Sequence, residues 1–367
     1  MSHRERFIRT LTGKPVDRVP FIKVFGGTNA ALPAWKAQHP ELEKNIDKIL
    51  RFEGTYRGWG IVPVNMSLTQ RGKPQVIEEN ESRVVRKFAD GTVQVRRKDG
   101  DYHAQIVEWP VKTPADWERV KARHLQADDP ERFPANWADR IKEYKNRDYP
   151  LQLTHGGVYG FARNLMGDEA LLYAFYDEPA LIHDIMDTYT ELVLTLGERM
   201  SKDIDFDLIE FWEDMASKNG CLISPDTFRE FMLPNYRRAA AFAKKRKIEI
   251  LLVDCDGYID DLASVMQEAG ITAMYPFEVG AGCSVIEARR RYPTLGIIGG
   301  LAKEAMIHGT QPIDKEIEKA RRYIQLGRLI PGPDHFVLSN VSWENYRYFM
   351  EQLREVVMTT PPGPAAP

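Results

Sequence analysis

Short apolar runs alternate along this chain with stretches whose apolar positions recur at helical spacing. Runs near 18–25, 57–64, 151–154, 206–212, 248–253, 272–275, 295–298 and 328–331 are rich in Ile, Leu, Val and Phe and mostly end at Gly or an acid, as strands buried on both faces do. Between them the spacing predicts helices at Asp116–His124, Pro134–Asn146, Glu169–Phe175, Ala180–Met200, Ile259–Glu268, Ser284–Arg291, Ala302–His308, Asp314–Gln325 and Ser342–Val357. A further helix is predicted from Ser224-Pro225 to Lys245, kinked at Pro234. The chain opens on a short helix, Arg4–Leu11, stopped by Gly13-Lys14-Pro15, and Asp47–Phe52 is a second helical piece before the alternation sets in.

Eight strands alternating with helices predict an α/β fold of the (β/α)8 barrel type. A doubly wound open sheet is the competing architecture, and no Gly-x-Gly-x-x-Gly follows the first strand to favour it. One region breaks the pattern. Val76–Glu79, Arg83–Phe88, Thr92–Arg97 and His103–Trp109 alternate at period two, with Asp90-Gly91 and Asp99-Gly100 placed as hairpin turns. This predicts a small antiparallel insert over 75–109 within one domain spanning 1–360, followed by a Pro-rich tail, 361–367, expected to be disordered.

Composition narrows the function classes. The 367 residues are 43% hydrophobic and 28% charged, with a net charge of −3, which gives no electrostatic case for nucleic acid or an anionic membrane. No apolar run is long enough to span a bilayer. The first residues lack the apolar core of a secretion signal, and three cysteines, Cys221, Cys255 and Cys283, cannot form a complete disulfide framework. A cytoplasmic protein acting on a small molecule is the expectation.

In a barrel the chemistry sits where the strands end. Those positions carry His155, Tyr159 and Arg163 after the third strand, Glu213 and Asp214 after the fourth, Asp254, Cys255 and Asp256 after the fifth, Glu278 after the sixth, and Asp334 and His335 after the eighth. Each has an ordinary alternative. Asp254 or Asp256 alone would cap the helix at Ile259, Glu213 and Asp214 would pair with Lys218 or cap a segment, Arg163 would make a surface ion pair, and a lone His335 is more often structural than catalytic. Taken together, acids and a histidine at one rim suit either a divalent cation or proton transfer. The candidates are Asp254, Asp256, His335 and Asp214 for catalysis, Arg163, Tyr159, His155 and Glu278 for substrate, and Asp254, Asp256, His335 and Glu213 for a metal such as zinc.

Several stretches resemble the uroporphyrinogen decarboxylase superfamily, which includes corrinoid-dependent methyltransferases. They are Arg4-Glu5-Arg6-Phe7 with Lys14-Pro15-Val16-Asp17-Arg18-Val19-Pro20, Glu213-Asp214-Met215-Ala216 with Ile223-Ser224-Pro225, Gly299-Gly300-Leu301-Ala302-Lys303, and Gly332-Pro333-Asp334-His335 with Ser342-Trp343-Glu344-Asn345. The resemblance implies a (β/α)8 barrel. It also shows two departures. The decarboxylases carry Arg-Gln-Ala-Gly-Arg after the first strand to grip carboxylates, where this chain has Lys23-Val24-Phe25-Gly26-Gly27-Thr28, and their third-strand tyrosine falls at Arg163. The methyltransferases hold zinc through His-x-Cys after strand five and a Cys after strand eight, where this chain has Asp254-Cys255-Asp256 and His335. What the resemblance implies is transfer of a methyl group from a small methylated compound to a corrinoid, assisted by a metal. A carboxy-lyase of the decarboxylase type and a non-catalytic binding barrel are the alternatives. A corrinoid protein and a second copy in a homodimer are the implied protein partners.

Overall fold

The strands in chain order are β1 (Gly60–Ile61), β2 (Gln75–Glu79), β3 (Arg83–Lys87), β4 (Val93–Arg97), β5 (Gln105–Glu108), β6 (Leu151–His155), β7 (Leu208–Trp212), β8 (Ala216–Ser217), β9 (Gly220–Cys221), β10 (Ile250–Asp254), β11 (Ala273–Phe277), β12 (Gly296–Leu301) and β13 (Leu329–Pro333). The computed structural model describes residues 1–24, 30–55, 57–70, 72–98 and 104–363, the side chains of Glu43 and Lys44 excepted. Seven of the eight predicted apolar runs form one parallel sheet in the order β1-β6-β7-β10-β11-β12-β13. Each strand thus pairs with the next one in sequence, with a helix on nearly every return, which is the arrangement of a barrel rather than of a doubly wound sheet.

The remaining predicted strand, the first in sequence at 18–25, is not a strand over its described residues 18–24. That segment is nonetheless buried from Val19 to Ile22 and at Val24. It passes close to both ends of the sheet: Ile22 packs on Gly58, next to β1, and Val24 on Gly332 of β13. The Phe25, Gly26-Gly27 and Tyr56 positions of the sequence reading lie outside the described residues. Two other runs shift their bounds. Among the described residues the Tyr56–Val64 run pairs only at Gly60–Ile61, and β12 extends past its predicted end through Gly299 and Gly300 to Leu301.

The curl of the sheet separates two cores. The inner one holds Leu208, Ile250, Leu252, Tyr275, Ile298 and Ile330, closed on one side by Phe7 and Leu11 of the helix His3–Thr12. The larger one packs the outer helices on the sheet, with long contributors such as Pro179–Met200 and Trp343–Thr359. The predicted helix 224–245 is divided: a π turn at Phe228–Met232 precedes Leu233–Arg246. Pro234 thereby falls in a first turn, where its missing N–H leaves no helical bond unmade.

The antiparallel insert is a four-stranded sheet in the order β2-β3-β4-β5, at the predicted place. Its Asp99-Gly100 turn and His103 lie outside the described residues. Among the described residues no helix is long and apolar enough to cross a membrane.

Candidate active site

Strand register decides which side chains enter the curl. β7 and β10 pair Leu208 with Ile250, Glu210 with Leu252 and Trp212 with Asp254. Leu208, Ile250 and Leu252 belong to the inner core, so Glu210, Trp212 and Asp254 face inward as well. A polar layer results above the apolar floor. Arg57 Nη1 lies 2.8 Å from Asp254 Oδ2 and 3.4 Å from Glu210 Oε1. Gln152 Nε2 donates to Glu210 at 2.5 Å, and Trp59 Nε1 donates to Gln152 at 2.5 Å. Burial raises the pKa of both acids. For Asp254 the charge of Glu210 adds to that rise, while Arg57 opposes it for both. One guanidinium offsets only part of the cost of burying two carboxylates.

At the rim, His335 Nε2 stands 2.9 Å from Asp256 Oδ2. Burial alone would lower the histidine's pKa. The hydrogen bond and charge of Asp256, with Glu278 beyond it, outweigh burial and raise it above the ordinary value. Asp214 occupies a left-handed backbone conformation, φ +46°. Arg163, from the helix Val158–Met166, holds it there by donating to its carbonyl at 3.2 Å and its carboxylate at 3.1 Å. The same guanidinium lies over the Trp212 ring, 4.9 Å from its centre. Glu278 accepts from Gly257 N at 2.9 Å and from Lys303 Nζ at 3.1 Å. Asp334 is fully buried, accepting from Gly280 N at 2.8 Å and Lys303 N at 3.0 Å. The loop after β10 is fixed from outside: Tyr258 N donates to Ser217 O, and a Cβ on Gly257 (φ +87°) would collide with the Ser217 backbone.

The structure therefore gathers Asp256, His335, Glu278, Asp214 and Arg163 at one rim. It turns the other predicted site residues elsewhere. Glu213 is fully buried and accepts from Val158 N at 2.8 Å, Gly160 N at 3.0 Å and Tyr236 Oη at 2.5 Å, so it caps the helix Val158–Met166. Gly157 and Gly160 let that helix start press on β7, because a Cβ at either would fall 2.0 to 2.1 Å from the Trp212 carbonyl. His155 and Tyr159, read from the sequence as substrate contacts, are both fully buried in the layer between sheet and helices. His155 packs on Tyr189 and Phe211, and Tyr159 lies parallel to Phe175. As the residue after Thr154, His155 points to the opposite face of β6 from the curl.

The four proposed metal ligands are not assembled either. Asp254 is engaged with Arg57, Glu213 with a helix start, and only Asp256 and His335 meet. Among the described residues no group of three or more His, Cys, Asp or Glu is placed to hold a metal ion. This donor arrangement does not fit a metal, and no chemical step is derived through one.

The burial of His155 has a measurable consequence. Burial, with a smaller effect from Arg238, pushes its pKa down to about 3, whereas the unfolded chain protonates it near its ordinary value of about 6.5. Above that range the histidine is neutral in both states. As pH falls below it the unfolded state alone binds a proton, and stability drops by about 1.4 kcal/mol per pH unit until about pH 3. Urea unfolding at pH 7 and pH 5 is expected to show His155→Phe losing about 2 kcal/mol less than the wild type between those two values.

A family model for uroporphyrinogen decarboxylase (URO-D) matches residues 92–356, more than two thirds of the chain. The chain belongs to the uroporphyrinogen decarboxylase family. A solved methyltransferase from Methanosarcina mazei has a similar fold, with a TM-score of 0.63 at 18% identity, covering 97% of this chain and 99% of that one. No curated protein matches the chain by sequence.

Four residues of this uroporphyrinogen decarboxylase family member bear on the site but escaped the sequence reading of it. Glu210 and Trp212 lie within an apolar run, and an acid in a strand buried on both faces is itself a signal. Lys303 follows the Gly299-Gly300 pair and opens the short 3₁₀ turn Lys303–Ile307 just beyond β12. Arg57 comes from the segment leading into β1, and nothing in its local sequence marks it.

Proposed function

We propose that this chain is an enzyme that moves a methyl group from a small methylated compound to a corrinoid, with His335 as proton donor. The single observation carrying the reading is the Asp256–His335 pair at the rim. Asp256 favours the imidazolium, and an imidazolium beside a departing oxygen or nitrogen supplies what demethylation requires. The methyl–heteroatom bond breaks, its electron pair stays on the heteroatom, and His335 protonates that atom while the methyl carbon goes to the acceptor. Asp214, clamped by Arg163, shapes the neighbouring wall, and the Glu278–Lys303–Asp334 network holds the loops after β11, β12 and β13 in register. We take the sheet to be completed by the 18–24 segment as a closed eight-stranded barrel, and the enzyme to work in the cytoplasm.

Rim charge favours this reading over decarboxylation of a porphyrinogen. Four acids, Asp214, Asp256, Glu278 and Asp334, stand there against the cationic side chains Arg163 and Lys303, both of them already bonded to rim acids, and a substrate bearing many carboxylates would find few cationic partners.

The test is a spectroscopic assay of methyl transfer to cob(I)alamin from a panel of small methyl ethers, methylamines and methyl thiols. Transfer from at least one donor is the expected result. Loss of CO₂ from uroporphyrinogen, with no methyl transfer from any donor, would overturn the reading. Because the acids are not gathered around a metal, transfer is expected to proceed at an unchanged rate after exhaustive chelation and metal-free gel filtration. A rate abolished by chelation and restored by zinc would require a site that assembles only with substrate.

A further inference from the structure

The chain has three cysteines, and they come from three different strand ends. Cys221 belongs to β9, in the hairpin after β7, Cys255 follows β10 directly, and Cys283 lies in the loop after β11. All three thiols converge on one stretch of backbone. Cys255 Sγ donates to the carbonyl of Asp256 at 3.5 Å, Cys283 Sγ to that of Gly257 at 3.6 Å, and Cys221 Sγ to that of Tyr258 at 3.4 Å. Three consecutive carbonyls thus take one thiol each. The N–H groups of the stretch are held as well: Gly257 N donates to Glu278 at 2.9 Å and Tyr258 N to Ser217 O at 2.9 Å. Every polar backbone group of Gly257 and Tyr258 therefore has a partner within the protein. Met215 N, from the loop after β7, donates in turn to Cys255 Sγ at 3.3 Å.

Thiols suit this place. Cys255 and Cys283 are buried and Cys221 is half-buried, and a buried carbonyl without a donor is costly. A cysteine supplies the donor while packing as a small apolar side chain. Burial pushes the Cys221 and Cys283 thiols up to about 11 and raises Cys255 well above its ordinary value. Each sulfur therefore keeps its proton at neutral pH and can donate it. The same protonation makes the three poor nucleophiles, since the thiolate is the reactive form. One S–H bond is weak, but three on successive residues restrict the same turn together.

We propose that the three cysteines act as a set of positioning residues, fixing the backbone of Asp256, Gly257 and Tyr258 so that the Asp256 carboxylate stays in reach of His335. The consequence for rate rests on the reading of His335 as proton donor; the consequence for geometry does not. Asp256 is thereby placed by the loops after β7, β10 and β11 jointly, and His335 reaches it from the end of β13.

The test compares two full-length variants. One combines Cys221→Ala, Cys255→Ala and Cys283→Ala, and the other combines Cys221→Ser, Cys255→Ser and Cys283→Ser. Alanine and serine are close in size and differ in the donor. The readout is the His335 Nε2 proton in nitrogen-edited NMR at about pH 6, where the imidazolium is populated, assigned by its absence in His335→Gln. A downfield, hydrogen-bonded proton is expected in the wild type and the serine variant, and its loss to exchange with water in the alanine variant. Methyl transfer by the alanine variant should fall about tenfold in kcat with KM within about twofold of wild type. If the alanine variant does not give a native circular dichroism spectrum, Cys221→Ala alone, at the half-buried position, should weaken the same signal and Cys221→Ser should not. A wild type without the bonded proton, an alanine variant that keeps it, or alanine and serine variants altered equally, as packing alone would make them, overturns the proposal. The expected NMR pattern in a chain that transfers no methyl group supports the clamp and overturns the reading of the site.

Discussion

His335→Gln is expected to slow methyl transfer by about 10²–10³-fold, with the thermal midpoint of unfolding nearly unchanged. Glutamine keeps a hydrogen-bond donor near Asp256 but cannot carry a proton to a leaving group. If the histidine acted only by holding Asp256 in place, glutamine would preserve most of the rate. The pH dependence separates these roles further. His335 is raised above its ordinary pKa in the fold, so the active imidazolium is present at low pH and is lost as pH rises through that raised value. Asp256→Asn removes the charge that favours the imidazolium, and the falling limb of the rate profile should move to lower pH. A limb that stays in place in Asp256→Asn, or a His335→Gln variant within a few-fold of wild type, would exclude His335 as the proton donor.

The second large effect concerns stability. Glu213→Ala is expected to destabilise the fold by roughly 3–5 kcal/mol, measured by urea unfolding. The carboxylate accepts from two backbone N–H groups and a tyrosine hydroxyl, all buried, and alanine removes the acceptor from all three donors. Glu213→Gln retains an acceptor oxygen and should cost less. Burial raises the pKa of Glu213, against the pull of Tyr236 and the backbone of Gly160 and Val158, so it is the donors around it, more than a fixed charge, that make it hard to replace. A loss below about 1 kcal/mol in the alanine variant would mean that the helix start finds other acceptors.

These two residues show where the sequence was informative and where it was not. Both stand immediately after predicted strands, and both were candidate site residues on that ground. Strand ends can be read from apolar runs, and the rim assignment of Asp256, His335, Glu278, Asp214 and Arg163 follows from them. Direction around a strand end cannot be read the same way. Whether Glu213 faces the mouth or a helix start depends on the turn after Trp212, which Gly157 and Gly160 set from the far side. His155 was misdirected by a single residue, since Thr154 is on the inner face and His155 on the outer. Arg57 and Glu210 meet across 153 positions of sequence, and only the curl of the sheet brings them together. The first strand failed for a different reason: Val19–Val24 has the apolarity of a strand and the burial of one, but no pairing is formed over the described residues.

The Asp256–His335 pair also bears on when the chain becomes active during synthesis. Its halves sit after β10 and after β13, with β11 and β12 between them in the sheet, so no local piece of the chain contains both. A nascent chain with its first twelve strands in place has most of its inner core and most of its rim, yet lacks the partner that sets the proton. Turnover is therefore a late-appearing property that reports on completed sheet assembly, and refolding followed by activity should lag behind refolding followed by far-ultraviolet circular dichroism.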